Sequence, residues 1–243
     1  MAERIWQVLI ADLKSSREIP ARERTEVDRA LRRAVGQVAR HFAGRFRLDP
    51  EVLRGDEVQA VLRRDAPALT ILTYLRARLA SAAGRRIELR AGIGRGSVQR
   101  LSARGPFASE GQAFHRARAA LDRARQTGGT RRTSWATGDT RFDDVANAIL
   151  GLSDAFVTRW TIPQWEAIAG RIEGKGLDAI ARAERVAFQS VSKRLRAASW
   201  NEVEQAMDLL QLQSLSIMGD GQPAPREGVR GSTHELELSV SKS

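Results

Sequence analysis

Three acids in the first quarter of the chain could do chemistry together. Asp12 ends an apolar run, "IWQVLIADL" (5–13), and Asp56 and Glu57 follow Gly55 in "LRGDEVQAVL" (53–62). Hard cations such as Mg²⁺ or Mn²⁺ take one or two carboxylates and complete their shell with water and phosphate oxygens. Asp12 and Asp56 therefore read as metal ligands. Glu57 is a third candidate, although strand alternation points it to the face opposite Asp56. "LKSSRE" follows Asp12, so Lys14, Ser15, Ser16 and Arg17 offer backbone N–H groups, two hydroxyls and two cations. That is a cradle for phosphate. Two metals between such carboxylates would clamp a phosphoryl transfer. Gly55-Asp56 also reads as a plain type II′ hairpin turn, in which the acids are turn residues only.

The elements around these residues decide whether they meet. Residues 5–13 read as a buried strand. Residues 20–42 read as a helix, with Val27, Leu31, Ala34, Val35 and Val38 at helical spacing. "EVLRGDEVQAVL" reads as two short strands. Residues 65–82 read as a helix, 85–98 as a strand running into glycines, 109–125 as a helix and 131–137 as a last strand. The order β-α-β-β-α-β, then α and β, is the split βαβ, ferredoxin-like pattern with additions, an α+β fold. It predicts helices on one face of an antiparallel sheet. It also puts the first and third strands side by side at the centre, with Asp12 beside Asp56.

Residues 139–160 read as an amphipathic connecting helix after a first domain over 1–138. Residues 161–213 are helical throughout and read as a second, all-α domain. "GLDAIARAERVAFQSVSKRLRAAS" (176–199) has helix-turn-helix spacing, with Ile180, Ala181, Val186, Val191 and Leu195 inward. Gln189, Ser190, Lys193, Arg194 and Arg196 then face outward, a set suited to base edges and phosphates of double-stranded DNA. A three-helix packing module is the other reading. Residues 214–243 are rich in Gly, Pro, Ser and charge and read as a disordered tail.

Composition widens the choice of partner without naming one. The formal net charge is +11, and only four of the 40 basic residues are lysine. A field of this sign attracts nucleic acids, nucleotides or acidic surfaces, while the arginine bias also fits a GC-rich genome. There is no cysteine, which excludes disulfides and thiolate metal sites and fits a reducing cytoplasm. No stretch approaches the ~20 apolar residues of a membrane span, and no signal peptide is expected.

"ADLKSSR", "GDEVQAVL", "LRAGIGRG" and "GQAFHRARAAL", in this order, resemble the SatD family over nearly the whole chain. Over residues 5–137 they resemble, more distantly, the palm domains of class III nucleotidyl cyclases and GGDEF proteins. That resemblance implies two metals on Asp12 and Asp56 and a bound nucleotide. A cyclase helix carries an Asn and, four residues on, an Arg. Here His115 stands at the Asn position and Ala119 at the Arg position, leaving His115 and Arg118 as the catalytic candidates. Residues 161–213 resemble the sigma-factor region 4 and LuxR-type pattern. Together these imply a homodimeric DNA-binding regulator whose palm binds a metal-nucleotide, or alternatively a metal-dependent cyclase or nucleotidyltransferase.

Overall fold

The computed structural model describes residues 5–14, 19–53, 56–126 and 129–217. Five strands form one sheet: β1 (Ile5–Leu13), β2 (Phe46–Val52), β3 (Val58–Leu62), β4 (Leu89–Ser97) and β5 (Thr133–Ala136), in the order β2-β3-β1-β4-β5. β1 is antiparallel to both β3 and β4, as expected. β5 runs parallel to β4 and extends the sheet beyond the four-strand pattern. Pro50 lies in the edge strand β2, where a missing N–H costs no ladder bond. The register between β2 and β3 is irregular on both sides of Leu48.

The described residues also form eight α-helices: α1 (Ala21–His41), α2 (Ala68–Ala83), α3 (Gln112–Gln126), α4 (Thr140–Val157), α5 (Ile162–Ile172), α6 (Leu177–Glu184), α7 (Phe188–Ala197) and α8 (Trp200–Ser216). β1 is apolar on both faces because both are covered. Leu9, Ala11 and Leu13 join α1 and α2 in one cluster, while Val8 and Ile10 join Val61 and the Ala113, Ala117 and Leu121 side of α3 in another. Helices on one face only is thus corrected to helices on both. The cause lies in β4, where Gly92, Gly94 and Gly96 face α3 and let its backbone lie directly on the strand.

α4 covers the open edge of β5 with polar side chains. Asp154 accepts the Arg132 and Thr133 amides, both at 2.7 Å. Asn147 accepts the Trp135 N–H at 2.9 Å and donates to its carbonyl at 2.8 Å. Asp143 accepts the Thr137 N–H at 2.8 Å. An edge strand must have its free amides paired or covered to stay monomeric and soluble in its own fold; here one helix face does so. The helix expected to connect two units is therefore part of the sheet's packing.

The apolar residues of α5–α8 belong to the same cluster as those of α1, α2 and the sheet, including Ile168, Ile180, Val191, Leu195 and Met207. α2 is the shared element, buried from Ala68 to Ala80 on nearly all sides. Trp160 packs edge-on against Trp165 and Trp200, with ring centroids 4.7 and 6.0 Å apart, and its indole N–H donates to the Ala198 carbonyl at 2.8 Å. A separate all-α domain is not shown by this packing.

Candidate functional site

The site forms where β1 ends and β3 begins, against the last two turns of α3. Glu57, Gln59 and Val61 share one face of the β3 segment, and Val61 packs on α3. Asp12 lies on the same side of β1 as Val8 and Ile10. β3 begins at Val58, and counted back from there Glu57 falls in phase with the α3 face, while Asp56 lies in the bend before the strand. Residues 118, 122 and 125 form a single stripe on α3 at helical spacing, and that stripe meets the two strand ends.

Two carboxylate–guanidinium pairs result. Arg118 grips Glu57 with both forks, at 2.6 and 2.7 Å, and Gln59 adds a third bond at 2.9 Å. Both oxygens of Glu57 are thereby engaged. Burial pushes the Glu57 carboxyl up, but the Arg118 and Gln59 hydrogen bonds outweigh it and hold it below the usual carboxylate range. The pair is therefore intact at neutral pH, and its contribution to stability is lost as the pH falls through that lowered value.

Arg125 grips Asp12 differently. Its Nε and Nη2 both donate to Oδ2, at 3.1 and 2.8 Å, and its Nη1 donates to Asp122 at 2.9 Å. Among the described residues, Asp12 Oδ1 is buried with no hydrogen-bond partner. Burial is the largest influence on this carboxyl and pushes it up; Arg125 offsets this in part, and the nearby charge of Asp56 adds to the rise. Arg90 stands directly across the ladder from Asp12. Asp12 and Asp56 are thus electrostatic neighbours.

The remaining expected residues lie elsewhere. The Lys14 ammonium pairs with Glu88 at 3.3 Å, at the start of β4. Ser15, Ser16, Arg17 and Gly55 lie outside the described residues. His115 is exposed on α3. In the helical part, α6 and α7 are joined by a three-residue turn in which Arg185 has φ 55°. Arg194 is ion-paired with Glu184, which ties α7 to α6. Gln189, Lys193 and Arg196 are exposed and Ser190 is half-buried.

Among the described residues, this donor set suits a divalent cation best at Asp12. Among the described residues no three of His, Cys, Asp or Glu form a group that could hold a metal ion. Glu57 has no oxygen left to offer. Asp12 keeps one, with Asp56 beside it, and two carboxylates plus phosphate and water suit Mg²⁺. Asp122 and Arg125 escaped notice in the sequence because "LDRARQ" reads as a solvated helix end. Only the topology shows that it faces Asp12.

Residues 6–209 match the model of the SatD family. No curated protein matches. Solved structures similar to the chain include a bacterial light-regulated adenylyl cyclase, with TM-score 0.42 and 12% identity over 56% of this chain and 77% of that one. Another is the guanylate cyclase domain of RhGC from Catenaria anguillulae, with TM-score 0.39 and 14% identity over 49% and 73%. A third is the adenylyl cyclase CyaB from P. aeruginosa, with TM-score 0.39 and 15% identity over 50% and 72%. The DNA-binding reading of residues 161–213 finds no support among these matches. No helix among the described residues is long and apolar enough to cross a membrane.

Proposed function

The chain belongs to the SatD family, and we propose that its palm binds a nucleoside polyphosphate together with Mg²⁺ or Mn²⁺ at the end of β1, as a nucleotidyl cyclase or nucleotidyltransferase would. The observation that carries this reading is the state of Asp12. It is a carboxylate at the end of the central strand with one buried, unpartnered oxygen, Asp56 beside it and two arginines in the same cluster. Most buried polar atoms are paired, and an oxygen left open at the end of a central strand is available to a cation.

Asp12 and Asp56 would hold the cation, and when bound it would supply charge to neutralise phosphate oxygens. Arg118, fixed by Glu57, holds its guanidinium beside that place. Nη1 and Nη2 are taken by Glu57, and the side chain is 40% exposed. Residues 15–17, next in the chain, would complete the phosphate cradle.

The test is calorimetric titration of ATP and GTP in the presence of Mn²⁺, followed by analysis for cyclic or transferred product. Asp12→Asn removes one anionic ligand and is expected to lower nucleotide affinity by at least about tenfold, equivalent to about 1.4 kcal/mol. The same change should leave the melting temperature at pH 7 unchanged or raised. The sign follows from burial: a carboxyl raised in the folded state is stabilising only when protonated, and a neutral amide removes that cost above its pKa. Equal nucleotide affinity of wild type and Asp12→Asn would give the site another purpose.

A further inference from the structure

The two arginine pairs are not equivalent. Glu57 is closed: three donors share its two oxygens. Asp12 is half-open: among the described residues, one oxygen carries two guanidinium bonds and the other carries none. Arg125 is also anchored independently of Asp12, through Asp122 three residues back on the same helix. Its side chain is 36% exposed, whereas that of Asp12 is 14% exposed. The guanidinium can therefore leave Asp12 toward solvent while Asp122 keeps hold of it.

A carboxylate in this position needs some cation at all times. Leaving a buried charge with no partner costs several kcal/mol, far more than a surface ion pair contributes. In the ligand-free chain the described neighbours able to supply that charge are Arg125 and, across the ladder, Arg90. A metal ion at Asp12 would face the same guanidinium at close range, and two cations on one carboxylate repel.

We propose that Arg125 is a placeholder for the divalent cation: it neutralises Asp12 in the empty site, yields that carboxylate when a metal arrives with a polyphosphate, and turns its fork to the phosphate while Asp122 steadies it. This rests on the metal-nucleotide reading above. It gives Arg125 a role in binding that its position at a helix end does not suggest. Metal alone must compete with the placeholder and binds weakly. Metal with phosphate gives the displaced guanidinium a new anion, so the two ligands bind cooperatively. The apparent metal affinity of the resting protein is lowered by the fraction of molecules in which Arg125 still holds Asp12.

The experiment uses the full chain and Mn²⁺ alone, with free Mn²⁺ read by electron paramagnetic resonance. Arg125→Gln is expected to bind Mn²⁺ at least about tenfold more tightly than wild type, and the gain should vanish in Asp12→Asn/Arg125→Gln. Arg125→Lys keeps the charge but loses the fork, and a gain smaller than that of Arg125→Gln is expected; it also serves if Arg125→Gln does not fold. With Mn²⁺ saturating, ATP affinity should fall in Arg125→Gln. An unchanged or weaker Mn²⁺ affinity in the folded variants, or a gain that survives Asp12→Asn, overturns the proposal. Because this readout needs no nucleotide, a gain in Mn²⁺ affinity in a protein that binds no ATP or GTP would sink the functional reading and leave the placeholder standing. Nucleotide binding without that gain would do the reverse.

Discussion

Gly94→Ala is expected to lower stability by at least about 3 kcal/mol and to disable the Asp12 site in whatever protein still folds. A methyl at this position would lie 2.1 Å from both the Ala113 carbonyl oxygen and the Ala117 nitrogen. Both are backbone atoms inside a helix, so no side-chain rotation relieves the clash. α3 must move off the sheet. The same argument applies at Gly92, where the methyl would meet the Ala117 carbonyl at 2.1 Å and the Leu121 nitrogen at 2.3 Å. Overpacking usually costs about 1 to 3 kcal/mol because neighbours repack; here the neighbour is a rigid helix, and the cost lies at the top of that range or above it. α3 carries Arg118, Asp122 and Arg125 to the strand ends, so lifting it also breaks the grip on Glu57 and Asp12. Urea denaturation and Mn²⁺ titration on one sample check both halves. A Gly94→Ala protein with wild-type stability would mean that α3 does not lie as close to β4 as described.

Those glycines show how the sequence can announce an element and conceal its purpose. "LRAGIGRGS" reads as a strand that runs into glycines. Nothing in one dimension says that alternate glycines form a floor for a helix from further along the chain. The apolar run of β1 was legible because burial on both faces removes alternation. What covers the second face was not, since α3 carries its small residues, Ala113, Ala117 and Ala120, in a stretch dominated by arginine. The short hairpin was legible as two strands, but the phase of its acids was not. Treating Asp56 as a strand residue on the Asp12 side sends Glu57 to the wrong face; Asp56 lies in a bend, and the alternation runs from Val58.

The helical C-terminal part was legible element by element, but its packing does not show a separate domain. The spacing of Val191 and Leu195 marks an inward face correctly. It does not say whether that face meets a small local core or a neighbour. α7 packs on α5, α6 and α8, and α5 and α8 pack in turn on α2, whose apolar residues run all round it. A helix apolar on every side is a buried helix, and "ALTILTYLRARLASAA" already had that character. Two covering layers were implied there, and the sheet with α1 accounts for only one.

The second large effect belongs to Asp154, where a helix side chain replaces a missing strand. Asp154 is 2% exposed and Arg76 is 6% exposed. One Asp154 oxygen accepts the Arg132 and Thr133 amides of the β5 edge, and the other accepts the Thr133 hydroxyl at 3.0 Å. Arg76 reaches the same carboxylate at 3.7 Å and donates to the Leu89 and Arg132 carbonyls at 2.9 and 3.1 Å. Burial pushes the Asp154 carboxyl up and the Arg76 guanidinium down, and the charge of each counters the shift of the other. Asp154→Ala leaves two buried amides unpaired and a buried guanidinium without its closest carboxylate. Breaking such a pair costs about 3 to 5 kcal/mol. For a chain of this length that is a fall in melting temperature of roughly 10 °C. Arg76→Met in the same chain removes the stranded charge but not the stranded amides, so the double variant should recover part of the loss and no more. The unrecovered part measures what α4 contributes as the cover of the sheet edge. Full recovery would assign the whole effect to the ion pair, and a loss under about 1 kcal/mol in Asp154→Ala would mean that the β5 edge finds its partners without α4.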